Sequence, residues 1–433
     1  MRILSLHPHQ LLTTDADHGE VGIRAHPRTS RLEDLEMPLV STLLGSVIPP
    51  PLQTAVATSE GQVTDAEITQ VTWWPGKSIT VRYKTMVTGG ALTGRQAFVC
   101  VAGRIPRGAL LVESAEGTVG VWRVPHDPAL PGLPSALDQS KAARLLTDLG
   151  AQTGPVTTSL VSYRPGRRAV VAVKGGKEGV YLKLVRTNRV EELHRSHRWL
   201  ALTLPVPGSL GYAPDLGLIA LQSLRGMTLR AALEDGAQPL PSAEEIVGVI
   251  NALPPPQTKR TTPSPIERVP EIAALLTAVV PELSDVIARL VEHIGVEQGP
   301  ASTPTHGDFY ESQLLVGRGA VVGLLDIDTY GWGRPGDDAA TMLGHLSIWA
   351  GLSKNPARVL DLGRRLLANW DTILDPVELR VRTAAVAMSL ATGPFRVQAA
   401  SWPGETADRV HIAERWLQSA IRADEKSLMP VSP

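Results

Sequence analysis

One stretch of this chain limits its architecture more than any other: HGDFYESQLLVGRGAVVGLLDID, from His306 to Asp328. Asp308 stands in a loop, and the amide Gln313 follows five residues later. Two apolar runs come next, 314–316 and 321–325, separated by Gly317-Arg318-Gly319. Tight hairpin turns favour residues that accept φ > 0, so this glycine-bracketed break predicts a β-hairpin. Such a hairpin returns Asp326 toward the loop holding Asp308 and Gln313. Two carboxylates and an amide oxygen are thereby expected to converge.

Phosphoryl transfer from ATP uses that set of groups. One carboxylate orients and deprotonates a hydroxyl, while an amide oxygen and a second carboxylate hold Mg²⁺ on the phosphates. His-Gly-Asp alone is a common turn, and a lone aspartate is as readily a cap. The conjunction with Gln313, the hairpin and Asp326 carries the reading.

The rest of the composition narrows the setting. A length of 433 residues points to two or three packed units, and 43% hydrophobic residues suffice for their cores. The 42 basic and 43 acidic residues nearly cancel, so neither a nucleic acid nor an acidic membrane surface is expected as partner. The single cysteine, Cys100, excludes an internal disulfide and a cysteine-based metal cluster, and suits a reducing cytoplasm. The start, MRILSLHPHQLL, makes a poor signal peptide, and no run reaches the ~18 apolar residues of a membrane helix.

Along the chain, residues 1 to about 60 carry weak helical patterning that ends in the turn-rich VIPPPLQ. Residues 68–124 read as strands: ITVRYKTMV, RQAFVCVAG, ALLVESA and TVGVWRV. The Pro-rich PHDPALPGLP, 125–134, reads as a linker. A helix is expected over 138–152, with Gly150 as its stop. From Val156 a second β-rich unit follows, with strands TTSLVSY, AVVAV and VYLKLVR joined by RPGRR and KGGKEG. The helical VEELHRSHRWLAL and the strand LIALQSL complete it, and beyond Met227 the chain is mostly helical. VTWWPGKSITV, 71–81, parallels VSYRPGRRAVV, 161–171. The first β-rich unit is then a degenerate copy of the second, or the two share a common Pro-Gly turn.

These segments resemble the aminoglycoside phosphotransferase and choline kinase-like superfamily, over roughly residues 156–400. The resemblance implies an α+β, bilobal protein kinase-like fold with a β-rich small lobe and a helical large lobe, preceded by an N-terminal β-rich cap subdomain. The corresponding divisions are 1–134 for the cap, 135–226 for the small lobe and 227–433 for the large lobe. It implies that Asp308 is the catalytic base, that Gln313 and Asp326 ligate Mg²⁺, and that His306 braces the loop. Gln313 replaces the usual asparagine, and Asp328 the usual glycine two residues after the metal aspartate. Both departures resemble the actinobacterial branch containing maltokinase and glucosamine kinase. Asp328 is then a further metal ligand or a substrate contact, with a solvated turn carboxylate as the plain alternative.

The resemblance also asks for a lysine against the α- and β-phosphates, and Lys183 in VYLKLV matches; an edge-strand solubility lysine is the alternative. Glu191 and Glu192 on the next helix are its candidate partners, Glu192 being preferred, while Val190, Leu193, His197 and Leu200 mark that helix's inner face. No GxGxxG is present. The RPGRR turn either cradles phosphates through Gly166 and Arg168 or is an ordinary solvated turn. The adenine hinge falls within Gln222, Ser223 and Leu224. In GRPGDDAATML, Asp338 is expected to cap a helix starting near Ala339, and Asp337 to be solvated. In the segment 392–409, Trp402 is the candidate sugar platform, and Glu405 and Asp408 are candidates for hydroxyls or an ammonium; a helix connection with an exposed Trp is the alternative. His345, His411 and Trp349 are expected to pack.

The function implied is ATP- and Mg²⁺-dependent phosphorylation of a hydroxyl on a sugar, amino sugar or aminocyclitol. An aminoglycoside antibiotic O-phosphotransferase is the nearest rival. A catalytically silent nucleotide-binding scaffold is disfavoured by intact Asp308, Gln313, Asp326 and Lys183. A carbohydrate-binding module in the first 130 residues is a further alternative.

Overall fold

The two Pro-Gly turns mark two five-stranded sheets with one strand order. In a computed structural model, which describes residues 32–151, 154–175, 179–295 and 299–428, the first sheet contains β1 (Gln62–Trp74), β2 (Ser78–Thr88), β3 (Gly94–Ala102), β4 (Leu110–Ser114) and β5 (Gly117–Arg123). Its order is β1-β2-β3-β5-β4. The second contains β6 (Thr157–Arg164), β7 (Arg168–Lys174), β8 (Val180–Val185), β9 (Ser209–Ala213) and β10 (Leu218–Gln222), ordered β6-β7-β8-β10-β9. Gly76 and Gly166 both sit at φ 68°, so each Pro-Gly turn needs its glycine. The second sheet inserts a helix, Val190–Leu200, between its third and fourth strands; the first has only a short connection there. Strand β1 begins six residues before Ile68, because its polar start QVTDAE buries Val63 and little else and so hides the alternation.

Contacts divide the chain into two units. The first holds the described residues up to Ile68, Thr80–Glu191 and Leu210–Ser223; the second holds Thr69–Ile79, Glu192–Ser209 and Leu224 onward. In the first unit, α1 (Leu39–Gly45) and α2 (Pro50–Ala57) precede the strands, so the proline run starts a helix rather than the expected turn. Proline fits the first helical turn because its missing N–H would have no intrahelical partner there. The N-terminal MRILSLHPHQLL and the middle of KGGKEG lie outside the described residues.

The Pro-rich segment 125–134 is not a linker. Leu130 and Leu133 are fully buried in one apolar cluster that joins Val99 and Trp122 of the first sheet to Leu182 and Leu218 of the second. Two short helices, α3 (Leu133–Leu137) and α4 (Gln139–Asp148), continue that layer, and Asp138 caps α4 by accepting from Lys141 N at 2.9 Å. Asp127, 2% exposed, accepts from Ala129 N at 2.8 Å, Gly166 N at 2.7 Å and Tyr163 Oη at 2.7 Å. Trp122 Nε1 donates to the same Tyr163 oxygen at 3.0 Å. The prolines punctuate a buried, well-bonded connection.

In the second unit the helix Val190–Leu200 (α5) is followed by α6 (Leu229–Asp235), α7 (Ala243–Asn251), α8 (Val269–Val279), α9 (Ser284–Ile294), α10 (Asp337–Ala350), α11 (Pro356–Trp370), α12 (Pro376–Ala391), α13 (Gly393–Arg396) and α14 (Trp402–Leu428). Helix α12 packs along α14 and α10. Residues Val190, Leu193, His197 and Leu200 form the buried stripe of α5, as their spacing predicts. Strands β11 (Met227–Thr228), β13 (Leu314–Gly317) and β14 (Ala320–Leu324) form a three-stranded sheet, and β12 (Thr303–Thr305) pairs with β15 (Gly331–Gly333). No single described helix is long and apolar enough to cross a membrane.

Replacing Asp127 by Ala leaves three donors facing a void. Since each unsatisfied buried donor costs about 1–3 kcal/mol, Asp127→Ala is expected to lose about 2–5 kcal/mol of stability, read as a lower midpoint in urea with an unchanged slope.

Candidate active site

The hairpin forms where the sequence places it. Gly317 pairs with Ala320, which leaves a two-residue loop of Arg318 at φ 54° and Gly319 at φ 81°. Positive φ at both central residues is the hairpin geometry whose twist matches the strands. Past β14, Leu325 is held through both of its backbone polar groups. Its N–H donates to Gln313 O at 2.8 Å, and its carbonyl accepts from His306 Nε2 at 2.8 Å. Asp326 follows in the left-handed region, φ 56° and ψ 55°, one of few side chains that tolerate it. The two backbone ties thus carry Asp326 to the start of the loop that bears Asp308.

The loop is braced mainly through His306, which has no exposed surface. One tautomer serves both ring nitrogens: Nε2–H donates to Leu325 O, and Nδ1 accepts from Asp308 N at 3.3 Å. The His306 carbonyl accepts from Thr329 Oγ1 at 2.9 Å. Gly307 sits at φ +81°, and a β-carbon there would stand 2.5 Å from Thr262 Cγ2, so no other residue fits.

The paired aspartates at the start of α10 differ from expectation. Asp338 does not cap that helix. Gly336 occupies the cap position, and the Asp338 carboxylate instead accepts from His306 N at 2.7 Å and Gly307 N at 2.8 Å. Asp337 is not solvated: it is 3% exposed and accepts from Arg382 Nη1 at 2.6 Å and Ser264 Oγ at 3.0 Å. Successive helical positions diverge by about 100°, so neighbouring carboxylates serve different partners. Burial raises the pKa of both; Arg382 opposes the rise at Asp337, and His306 opposes it at Asp338.

A second cluster in this loop escapes sequence reasoning. Glu311, with no exposed surface, accepts from Arg230 Nε at 2.7 Å, and its carbonyl accepts from Arg230 N at 3.2 Å. The Arg230 guanidinium lies 4.1 Å from the Trp349 ring centre. Tyr310 stacks on His345 with centroids 4.0 Å apart. Burial lowers the pKa of His345, with Glu311 and Asp308 opposing. Nothing in local spacing links Arg230 to a residue 81 positions away.

The structure distributes the other candidates over both units. Gln313 is 7% exposed; Asp308, Asp326 and Asp328 are partly exposed. Lys183, 5% exposed, lies on β8 between Val170 of β7 and Ile219 of β10, an inner strand, which removes the edge-strand alternative. Glu192 lies on α5, Arg168 opens β7, Gln222 ends β10, and Leu224 follows within the next connection. The Gly166 N–H is taken by Asp127, so it is not part of a phosphate cradle. Trp402 is neither a sugar platform nor exposed. It is 2% exposed and edge-on to Phe395 at 5.1 Å, on the stripe of α14 that also buries Thr406, Val410 and Ala413. Glu405 accepts from Ser401 Oγ at 2.6 Å, and Asp408 is exposed on the same helix.

Among the described residues, no group of three or more His, Cys, Asp or Glu side chains is arranged to hold a metal. One carboxylate and one amide oxygen nevertheless suit Mg²⁺, which keeps waters and takes phosphate oxygens for the rest of its octahedron.

Asn in place of Asp338 presents one acceptor to two converging N–H groups. Asp338→Asn is therefore expected to release the loop, destabilising the fold by about 1–3 kcal/mol. The amide protons of His306 and Gly307 should exchange faster with solvent, as followed by hydrogen-exchange mass spectrometry.

No curated protein sequence matches the chain. Similar crystal structures include a thermostable mutant of the aminoglycoside phosphotransferase APH(4)-Ia in ternary complex with ADP and hygromycin B, at 14% identity over 64% of this chain and 97% of that one, with a TM-score of 0.47. A putative aminoglycoside phosphotransferase from Ralstonia eutropha is 15% identical over 67% and 98%, TM-score 0.44. A macrolide 2'-phosphotransferase type I is 16% identical over 63% and 96%, TM-score 0.43. Residues 163–374, the stretch with most of the second sheet, the His306 loop and the hairpin, match the profile described as the phosphotransferase enzyme family (APH), and it is this stretch that is similar to that family.

Proposed function

We propose that this protein transfers the γ-phosphoryl group of ATP to a hydroxyl of a sugar, amino sugar or aminocyclitol. The observation that carries the reading is the pair of backbone ties at Leu325, which set Asp326 and Gln313 beside the braced loop of Asp308. Gln313 and Asp328, where the family's usual residues are asparagine and glycine, support the sugar and amino-sugar side of the acceptor range.

In this reading Asp326 and Gln313 hold Mg²⁺, with Asp328 as a further candidate, and the bound ion would neutralise charge on the phosphates. Lys183 is the proposed cation for the α- and β-phosphates, with Glu192 as its partner; Arg168, Gln222 and Leu224 are the remaining nucleotide-side candidates. Asp308 orients the acceptor hydroxyl and takes its proton as the new bond forms. His306 and Asp338 act on the substrate only through Asp308, by fixing the loop. Glu405 and Asp408 remain the proposed acceptor contacts on α14.

The test is ATP consumption measured across sugars, amino sugars, aminocyclitols and intact aminoglycosides, with Mg²⁺ present or chelated. Phosphorylation of a sugar-class acceptor is expected. Asp308→Asn and Asp326→Asn, the second keeping a side chain suited to the left-handed backbone, should each reduce it about 10²–10⁴-fold with unchanged melting temperature. Near-normal turnover in either variant overturns the mechanism, and hits confined to intact antibiotics overturn the acceptor class.

A further inference from the structure

A cavity of about 220 Å³ opens between α5 and the connection that follows α7. Its lining lies wholly within the second unit. Glu192, Arg195, Ser196 and Trp199 of α5 form one wall, and their spacing of three, four and seven residues puts them on one helical face. Residues 256–258 and Tyr330 form the other wall. Arg195, Gln257 and Thr258 are exposed and mark the mouth, while Tyr330, 5% exposed, marks the floor. Asp308, Gln313, Asp326, Glu405 and Asp408 do not line it; Glu192 alone is shared with the proposed nucleotide side.

Hydrogen bonds fix both walls. Trp199 Nε1 donates to Pro255 O at 3.2 Å, and Tyr330 Oη donates to Pro254 O at 2.6 Å. Two aromatic side chains from different elements thus hold one proline run. Farther along the same connection, Thr262 N donates to Trp332 O at 2.7 Å and Trp332 N to Arg260 O at 2.9 Å, which pins it to β15. Thr262 Oγ1 donates to Thr329 O at 2.7 Å, and Thr329 Oγ1 to the His306 carbonyl at 2.9 Å. A cavity whose walls are tied in this way keeps its shape without a ligand, which lowers the ordering cost of binding.

The lining selects the ligand. One carboxylate, Glu192, and one guanidinium, Arg195, carry no net charge, so a phosphate or a polyamine meets repulsion as well as attraction. The hydroxyls of Ser196 and Thr258 and the amide of Gln257 can each give and take hydrogen bonds. Thr258 Oγ1 accepts from Arg260 N at 3.4 Å and keeps its own proton to donate. A wholly apolar ligand would strip water from these groups and return no hydrogen bond. Trp199 and Tyr330, with their polar tips bound to carbonyls, chiefly offer ring surface. The volume is below the roughly 300–1,000 Å³ of sites for drug-sized molecules, which suits one ring. We propose that this cavity binds a neutral, polyhydroxylated single ring, a monosaccharide or cyclitol, with its C–H face on the aromatic rings and its hydroxyls on the polar groups. Once bound, the ring fastens α5, the helix of Glu192, to a connection tied to the His306 loop. That consequence for phosphoryl transfer rests on the functional reading above; the binding itself does not.

The test is calorimetric titration of the full chain, without nucleotide, with D-glucose, D-galactose, D-mannose, myo-inositol and glucose 6-phosphate. Wild type is compared with Ser196→Phe, which fills the cavity, and with Gln257→Ala, an exposed position whose change removes one polar partner and leaves the fold alone. At least one neutral ring is expected to bind wild type, more tightly than glucose 6-phosphate. Gln257→Ala should weaken it about tenfold, and Ser196→Phe should abolish it, both at unchanged melting temperature. Hydrogen exchange should slow across α5 and residues 254–258 when that ring is added to wild type, and not when it is added to Ser196→Phe. If Ser196→Phe melts early, the Gln257→Ala shift and the exchange pattern in wild type decide. No binding of any neutral ring overturns the proposal, as does an affinity equal in all three proteins, which reports a ring held elsewhere. Tightest binding of glucose 6-phosphate overturns the neutral class. Loss of the functional reading through an active Asp308→Asn leaves these titrations as they are, so the two failures are told apart.

Discussion

The Asp338 carboxylate, buried under the first turn of α10, accepts the backbone N–H groups of both His306 and Gly307, and the rest of the candidate site follows from that. Hydrogen bonds to a charged acceptor contribute roughly 1.5–3 kcal/mol each, and here they act on the two residues immediately before Asp308. The clamp is only as firm as the helix that carries it. Asp337, its neighbour, is bound by Arg382 of α12 and by Ser264, so the start of α10 is pinned to a second helix. From the clamped loop the His306 ring reaches Leu325, and Leu325 reaches Gln313. One chain of buried bonds thus runs from α12 to the residue that precedes Asp326.

On the far side of the same loop a second buried ion pair plays a matching part. Arg230 binds the side chain and the carbonyl of Glu311 together, while its guanidinium rests on Trp349. Buried ion pairs often contribute little net stability, because desolvation offsets the Coulomb attraction, yet removing one partner costs about 3–5 kcal/mol. That asymmetry suits a positioning role. The Asp337–Arg382 and Arg230–Glu311 pairs penalise loop conformations that would separate them, and the segment between Thr305 and Gln313 is short enough to feel both.

What can be read from sequence divides along the range of the interaction. The hairpin is legible because its signal is local: two apolar runs, a glycine-bracketed turn, and an aspartate at the exit. The inner face of α5 is legible because its period is 3.6. Asp337, Asp338 and, within the stretch that reads as a linker, Asp127 mislead for a common reason. Each looks like a polar residue in a turn or cap, and a partner that buries it lies 45, 31 or 39 residues away. Glu311 and Arg230, 81 residues apart, leave no trace at all. Trp402 misleads differently, since the helical stripe through Thr406, Val410 and Ala413 is present in the sequence. An aromatic beside carboxylates suggests a sugar platform, but the periodicity predicts burial, and the periodicity wins.

The repeated Pro-Gly motif shows how a shared pattern can have two outcomes. Both turns join the first two strands of a sheet ordered alike, and both glycines have the same φ. At the second turn a buried carboxylate takes the glycine N–H. Asp127 binds Gly166 N, and through Tyr163 it is linked to Trp122 of the first sheet. A phosphate would have to displace that carboxylate to use the same N–H, and two anions sharing one donor repel strongly at low dielectric. The first sheet, joined to the second by a continuous apolar core, therefore does more than cover it: it leads into the segment that closes the Gly166 amide. In the proposed function, phosphate recognition then rests on cations such as Lys183 and on the carboxylate-bound metal, because the glycine N–H of this turn is already occupied from within the fold.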